Sequence, residues 1–185
     1  MRIKPFEEHY DRWFEEHRYA YLSELEAVKC LIPEGKGIGV GMSSGRFAEP
    51  PGIKVAQGIA EDLPFEDESF DFVLMVTTIC FLDDVKKAFK EAHRVLKRGG
   101  SIIIGFIDKE SPLGIEYLKH KEESALYRDA TFYTVNEVLS FLNGFRVASA
   151  LQTTFKPLNK IDSIEPVVEG YGKGSFVAIK AIREG

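Results

Sequence analysis

Cysteine is almost missing from this chain: Cys30 and Cys80 are the two among 185 residues. One falls in a predicted helix and the other just past a predicted buried strand, so both read as reduced core thiols and not as a disulfide. Histidine is also sparse. His9, His17, His93 and His120 stand far apart, without metal-ligand spacing among themselves or with cysteine, which leaves a metal site without support. Basic charge is not in excess, with 24 Lys and Arg against 29 Asp and Glu, a net charge of −5. The scattered cations lack the footprint of a duplex-binding surface, so nucleic acid is not the expected partner. Long apolar runs are missing as well. The longest, Phe72 to Leu82, holds two threonines and is far below spanning length, and the charged N-terminus MRIKPFEEHYDRWFEEH has no apolar centre. No membrane segment is expected, and the location expected is cytoplasmic. Asn and Gln are few beside abundant Glu and Lys, a composition suited to a thermophile.

What is present organises around Gly58 to Phe106. Asp71–Val76 and Ser101–Phe106 are continuous apolar runs too short for helices, as expected of parallel strands covered on both faces. Between them, Val85, Ala88, Phe89, Ala92, Val95 and Leu96 recur at helical spacing, opposite Lys86, Lys87, Lys90, Glu91 and Arg94. Asp83 or Asp84 is placed to cap this helix, Lys97 and Arg98 to meet its dipole, and Gly99 to end it. The unit is βαβ, and ligands of such sheets sit beyond the carboxyl ends of the strands.

At 185 residues and 44% hydrophobic the chain fits a single domain, residues 1–185. Phe6 to Leu31 reads as one helix rich in aromatics, and segment 1–35 is either an ordinary packed face or a helical lid over a small-molecule pocket. Lys36–Val40 is a strand, Gly45–Ala48 a short helix, and Ile53–Gln57 the next strand after Pro50-Pro51-Gly52. The insertion 107–134 carries helical periodicity from Pro112 to Leu126 and is placed to shape a substrate pocket. Thr134 with Glu137 forms a capping box before a helix to Leu142, and Phe145–Phe155 and Ser175–Ile182 alternate as an antiparallel edge pair. The fold class is α/β: a Rossmann-like, mostly parallel sheet of about six strands, in the order Ile53–Gln57, Lys36–Val40, Asp71–Val76, Ser101–Phe106 and the C-terminal pair.

The Gly-rich turn after the first strand, Gly41-Met42-Ser43-Ser44-Gly45, admits several readings. No Gly-Lys-Ser/Thr follows, which removes a Walker loop, and a dinucleotide fingerprint would lack its third glycine. Gly-x-Ser-x-Gly literally matches a nucleophile elbow, but a hydrolase of that fold places several strands before the elbow and a His after the last strands; here no His follows His120.

Ala60-Glu61-Asp62-Leu63-Pro64-Phe65, Ser69-Phe70-Asp71 and Arg94-Val95-Leu96-Lys97 with Gly99-Gly100, in this order and spacing, resemble the class I S-adenosylmethionine-dependent methyltransferases over nearly the whole chain. The resemblance implies S-adenosylmethionine as cofactor, with its methionine part cradled by Gly39, Gly41, Ser43 and Gly45. It implies adenine held by the loop Ile59, Ala60, Glu61, Asp62 and Leu63, and a floor of Val76, Thr77 and Thr78. The expected activity is in-line methyl transfer to a small-molecule acceptor, with no obligatory catalytic residue, since the sulfonium methyl is already activated. Substrate-lining candidates are Tyr10 and Trp13 from the first helix and Tyr117 and His120 from the insertion; Tyr127 reads as an ordinary core or surface residue.

The chain also departs from the family. Gly39 stands where an acidic residue usually holds the methionine ammonium, Ser43 replaces the middle glycine, and Ile59 takes a position often occupied by Asp. Between Arg46 and Gln57 about one strand and one helix, on the order of twenty residues, are missing relative to a complete βαβ unit, with the acid that would bind the ribose. Either Ile53–Gln57 moves beside the first strand and Glu61 or Asp62 takes over the ribose, or cofactor binding is impaired and the protein is a non-catalytic binding or assembly module. The shortened sheet edge is a candidate homodimer contact.

Overall fold

The computed structural model describes residues 12–41, 53–55, 59–124 and 126–185. The expectations for Tyr10, Ser43, Gly45, the Gly45–Ala48 helix and the Pro50-Pro51-Gly52 turn lie outside the described residues. The strands are β1 Gly37–Gly39, β2 Ile53–Val55, β3 Phe70–Val76, β4 Leu96–Ile107, β5 Phe145–Thr153, β6 Val168–Glu169 and β7 Phe176–Arg183. The helices are α1 Arg18–Lys29, α2 Val85–Val95, α3 Pro112–Lys119 and α4 Val135–Phe141.

All seven strands join one sheet in the order β2-β1-β3-β4-β7-β5-β6. The expected six are present in the expected order, and the two-residue β6 extends the far edge by pairing with β5. β2 lies parallel to β1, with Ile53 opposite Gly37 and Val55 opposite Gly39, so the short chain closes directly onto its first strand. β7 runs antiparallel to both β4 and β5 and is inserted between them.

Two apolar layers cover the sheet. On one face α2 and α4 bury Phe89, Ala92, Val95 and Val138 against Ile38, Val73, Met75, Ile102 and Ile104. On the other, Tyr21, Leu25 and Val28 of α1 pack on Phe72, Leu74, Ile103 and Phe176. Side chains of this size contribute roughly 1.5–3 kcal/mol each when fully buried, which is why the alternating strand residues fix the two faces. No helix among the described residues is long and apolar enough to cross a membrane.

Three local expectations are corrected. The first helix is divided at His17 into a helical stretch 12–16 and α1, where the Trp13 and His17 rings meet with centroids 5.3 Å apart. Helix α2 starts as expected, with Asp84 accepting from the Lys87 amide at 3.0 Å. It ends at Val95, before Gly99, because the carbonyls of Arg94 and Val95 are taken by the amides of Glu68 and Ser69 and Leu96 already pairs with Phe70. Lys97 to Gly100 then form a bulge in β4, with Gly99 at φ +74. Cys30 is exposed, not in the core.

Candidate functional site

The parallel register brings the carboxyl ends of β1 and β3 together, with Gly39 opposite Leu74. Just past these ends, the Thr78 hydroxyl donates to the Val40 carbonyl at 3.0 Å, and Thr78 is buried. Gly41 sits directly on it: a Cβ there would lie 2.2 Å from Thr78 Cγ2, and its φ of +69 is in the left-handed region. The residue opening the Gly-rich turn must therefore lack a side chain. Thr77, at the same edge, holds a non-glycine φ of +51 and donates its amide to Gly105 at 2.8 Å. Strain of this kind costs about 1–3 kcal/mol and persists where surrounding contacts hold it, often at functional sites.

The loop Ile59 to Leu63 shares the buried cluster that holds Val40 at the end of the first strand. Ala60 and Leu63 are buried, while Ile59 is 49% exposed, an apolar surface of the kind a flat base covers. Glu61 Oε1 accepts the amides of Asp83 and Asp84 at 3.0 and 3.2 Å, so this carboxylate is occupied at the approach to α2. Asp62 is exposed and makes no side-chain hydrogen bond among the described residues.

This loop is held from below by a pair that the sequence pattern marks without explaining. Arg94 donates to the carbonyls of Phe65 and Leu63 at 2.7 and 3.0 Å, and to Glu91 and Asp67. Glu91 in turn accepts the Leu63 amide at 2.9 Å. The Glu91 carboxyl is held below its usual range first by the Arg94 guanidinium. The Glu-x-x-Arg of the signature thus ties α2 to the Leu-Pro-Phe turn and supports the site without lining it.

Of the four substrate-lining candidates, Trp13, Tyr117 and His120 line one groove of about 810 Å³, between the helical stretch 12–16 and α3. Tyr127 lines it too and stacks on Tyr117 with centroids 4.4 Å apart. Tyr127 also lines a smaller cavity with Thr77, Cys80 and Tyr133, so the same ring borders the groove and the strand ends. Burial pushes the Cys80 thiol up to about 12, which makes it a poor nucleophile. Burial also lowers His17, leaving its ring neutral near pH 7. The residue missed in the sequence is Glu24. It lies on the same helical stripe as Tyr21, Leu25 and Val28 and is 1% exposed, so a lone acid inside an apolar stripe was the available signal.

The profile of the methyltransferase domain family matches residues 40–104. A crystal structure from Thermotoga maritima, described as a SAM-dependent methyltransferase and possible histamine N-methyltransferase, is 45% identical, covers 97% of each chain and superposes with a TM-score of 0.89. The chain belongs to the class I S-adenosylmethionine-dependent methyltransferases. An uncharacterized protein of Methanocaldococcus jannaschii is 45% identical over 197 aligned positions, covering 95% of this chain and 96% of its own. Those 197 positions exceed the 185 residues here, so this relative carries internal residues that the present chain lacks. Demethylmenaquinone methyltransferase of Chlorobaculum tepidum is 35% identical over 85 residues, which span 44% of this chain and 35% of that enzyme.

Proposed function

We propose that this methyltransferase binds S-adenosylmethionine beyond β1 and β3 and methylates a small molecule held in the groove of Trp13, Tyr117 and His120. The observation that carries the reading is the packing of Gly41 on Thr78, which keeps backbone and not side chain at the mouth of the strand ends. In this reading the methionine part lies against the backbone of Gly39 and Gly41, Ile59 offers its exposed face to the adenine, and Thr77 and Thr78 form the floor. Asp62 is the ribose ligand in this reading, because Glu61 is engaged with the amides of Asp83 and Asp84.

When bound, S-adenosylmethionine supplies a methyl group already activated on a sulfonium. The chain's own part is then to hold an acceptor lone pair in line and keep water out, which can account for most of the acceleration. Tyr127, common to the groove and to the cavity at Thr77, supports a path between acceptor and strand ends. The helical stretch 12–16 serves as a lid through Trp13, while α1 packs on the sheet as ordinary core, and the insertion 107–134 forms the opposite wall. A non-catalytic role gains no comparable support, since the tight glycine and the strained Thr77 are features with a cost and no evident purpose in a plain scaffold.

Calorimetric titration with S-adenosylmethionine and S-adenosylhomocysteine tests the reading. Binding of both is expected, together with a rise in melting temperature. No heat and no thermal shift at millimolar ligand would refute it.

A further inference from the structure

Two spaces meet at Tyr127. The groove of about 810 Å³ and the cavity of about 20 Å³ share this one residue among the described residues that line them. They differ in chemistry as well as in size. Arg12, Glu16, Glu116 and Lys160, all exposed, give the groove charges of both signs. The cavity lies at the carboxyl ends of β3 and β4, between Thr77 and Ile107, and none of the described residues lining it is charged. Two of its polar groups are already turned to carbonyls: the Thr77 hydroxyl donates to Val76 at 2.8 Å and the Cys80 thiol to Thr77 at 3.8 Å. A space of this volume takes about one water-sized group.

The ring between the two spaces is held in place. Tyr127 packs against Tyr117, Phe81 and Phe132, with centroids 4.4, 6.3 and 5.6 Å away. Its amide donates to Ser124 Oγ at 3.0 Å, and its carbonyl accepts the Ala130 amide at 3.0 Å. Ring packing and backbone bonds together make it a partition.

A group that passes from the groove to Thr77 must clear this ring and give up its water on the other side. An ionised group would lose its hydration where no described residue offers an opposite charge, which is costly. A branched or bulky end would overfill a space of water-like size, and packed interiors resist overfilling. Charged and bulky parts have their place outside, where the rim carries both signs and the volume is far larger. We infer that Tyr127 sets acceptor specificity: it keeps the body of the acceptor in the groove and admits to the strand ends only a slender, uncharged end that carries the reacting atom. The acceptor class is therefore a molecule of two parts, a charged or strongly polar body and an unbranched neutral nucleophilic end. This inference rests on the reading of the groove as the acceptor site.

The test uses the two native cysteines of the full chain. Cys80 lines the inner cavity and reports access to it, while Cys30 is exposed and serves as the reference in the same molecule. The probes are four methanethiosulfonates: methyl, benzyl, the anionic sulfonatoethyl and the cationic trimethylammonioethyl. Mass spectrometry of the peptides gives, for each probe, the modification rate at Cys80 divided by that at Cys30. The thiolate fraction of each cysteine is the same for all probes, so differences between the ratios report passage by size and charge. The methyl ratio is expected to exceed each of the other three at least tenfold. Tyr127→Ala should raise the benzyl ratio tenfold or more, and Tyr127→Leu should raise it by a smaller factor while keeping an apolar residue in place. Tyr127→Phe keeps the ring and should leave the order of the ratios unchanged. Equal ratios for the four probes, no modification of Cys80 by any of them, or a benzyl ratio indifferent to both Tyr127→Ala and Tyr127→Leu would overturn the inference. Calorimetry with S-adenosylhomocysteine on the same samples separates the two readings. Selection retained while that ligand fails to bind would uphold the partition and refute the cofactor reading, and binding without selection would do the reverse.

Discussion

Gly41 rests on Thr78 so closely that a single added methyl would lie 2.2 Å from Thr78 Cγ2, while the Thr78 hydroxyl donates to Val40 one residue earlier. The first turn after β1 and the end of β3 are therefore fitted to each other. Gly41→Ala is expected to cost about 1–2 kcal/mol from the left-handed backbone alone, with the clash in addition. It should also abolish S-adenosylhomocysteine binding measured by calorimetry. Thr78→Ser removes the clashing methyl but keeps the oxygen for Val40. The double variant Gly41→Ala/Thr78→Ser should recover part of the lost melting temperature; no recovery would show that the contact is not what fixes the turn.

The two acids of the Ile59–Leu63 loop separate by partner. Glu61 holds two amides before α2, and Asp62 makes no side-chain hydrogen bond among the described residues. Asp62→Asn is expected to weaken S-adenosylmethionine tenfold or more, about 1.4 kcal/mol, with little change in stability. Glu61→Gln is expected to lower stability by about 1 kcal/mol and affect affinity less. Calorimetry and chemical denaturation on both variants check the division, and the reverse pattern would assign the ribose to Glu61.

Arg94 reaches two carbonyls and two carboxylates at once, a fork that lysine cannot reproduce. Arg94→Lys keeps the charge and should still destabilise by about 1–2 kcal/mol, a figure reduced for the partial exposure of the side chain. Hydrogen exchange is the sharper probe: faster exchange should concentrate in the loop 63–69. A uniform increase over the whole chain would place the effect elsewhere.

Glu24 gives the stability curve a sign. Burial lifts its carboxyl from the ordinary 4.5 to about 8, so between these values the folded chain holds a proton that the unfolded chain has released. Stability from this group is full below the lower value and falls as pH rises through the window, because the unfolded state binds fewer protons there. Glu24→Gln removes the dependence. The melting temperature of the variant relative to the parent is expected to climb from pH 5 to pH 9, with a gain on the order of a few kcal/mol at the alkaline end. A constant difference across that range would show that Glu24 is ionised in the folded protein throughout.

Sequence periodicity determined the parts governed by local chemistry. Val85, Ala88, Phe89, Ala92 and Val95 form the buried stripe of α2, Asp84 caps it, and Thr134 with Glu137 makes the capping box of α4. The strand order was also legible, since parallel strands must cross over through helices and the short segment before Ile53 leaves only the edge beside β1. The end of α2 was not, because Gly99 is a good local stop and the competing partners, the amides of Glu68 and Ser69, come from a different part of the chain. The same limit applied to Glu24, Arg94 and the Gly41–Thr78 contact. A sequence shows that an acid interrupts an apolar stripe, that an arginine follows a glutamate by three, or that a turn is rich in glycine. Whether the acid loses water, which carbonyls the arginine meets and which glycine has a methyl beneath it depend on elements brought together only by the folded sheet. Desolvation and steric contact act through space, and in this chain tertiary structure alone decided them.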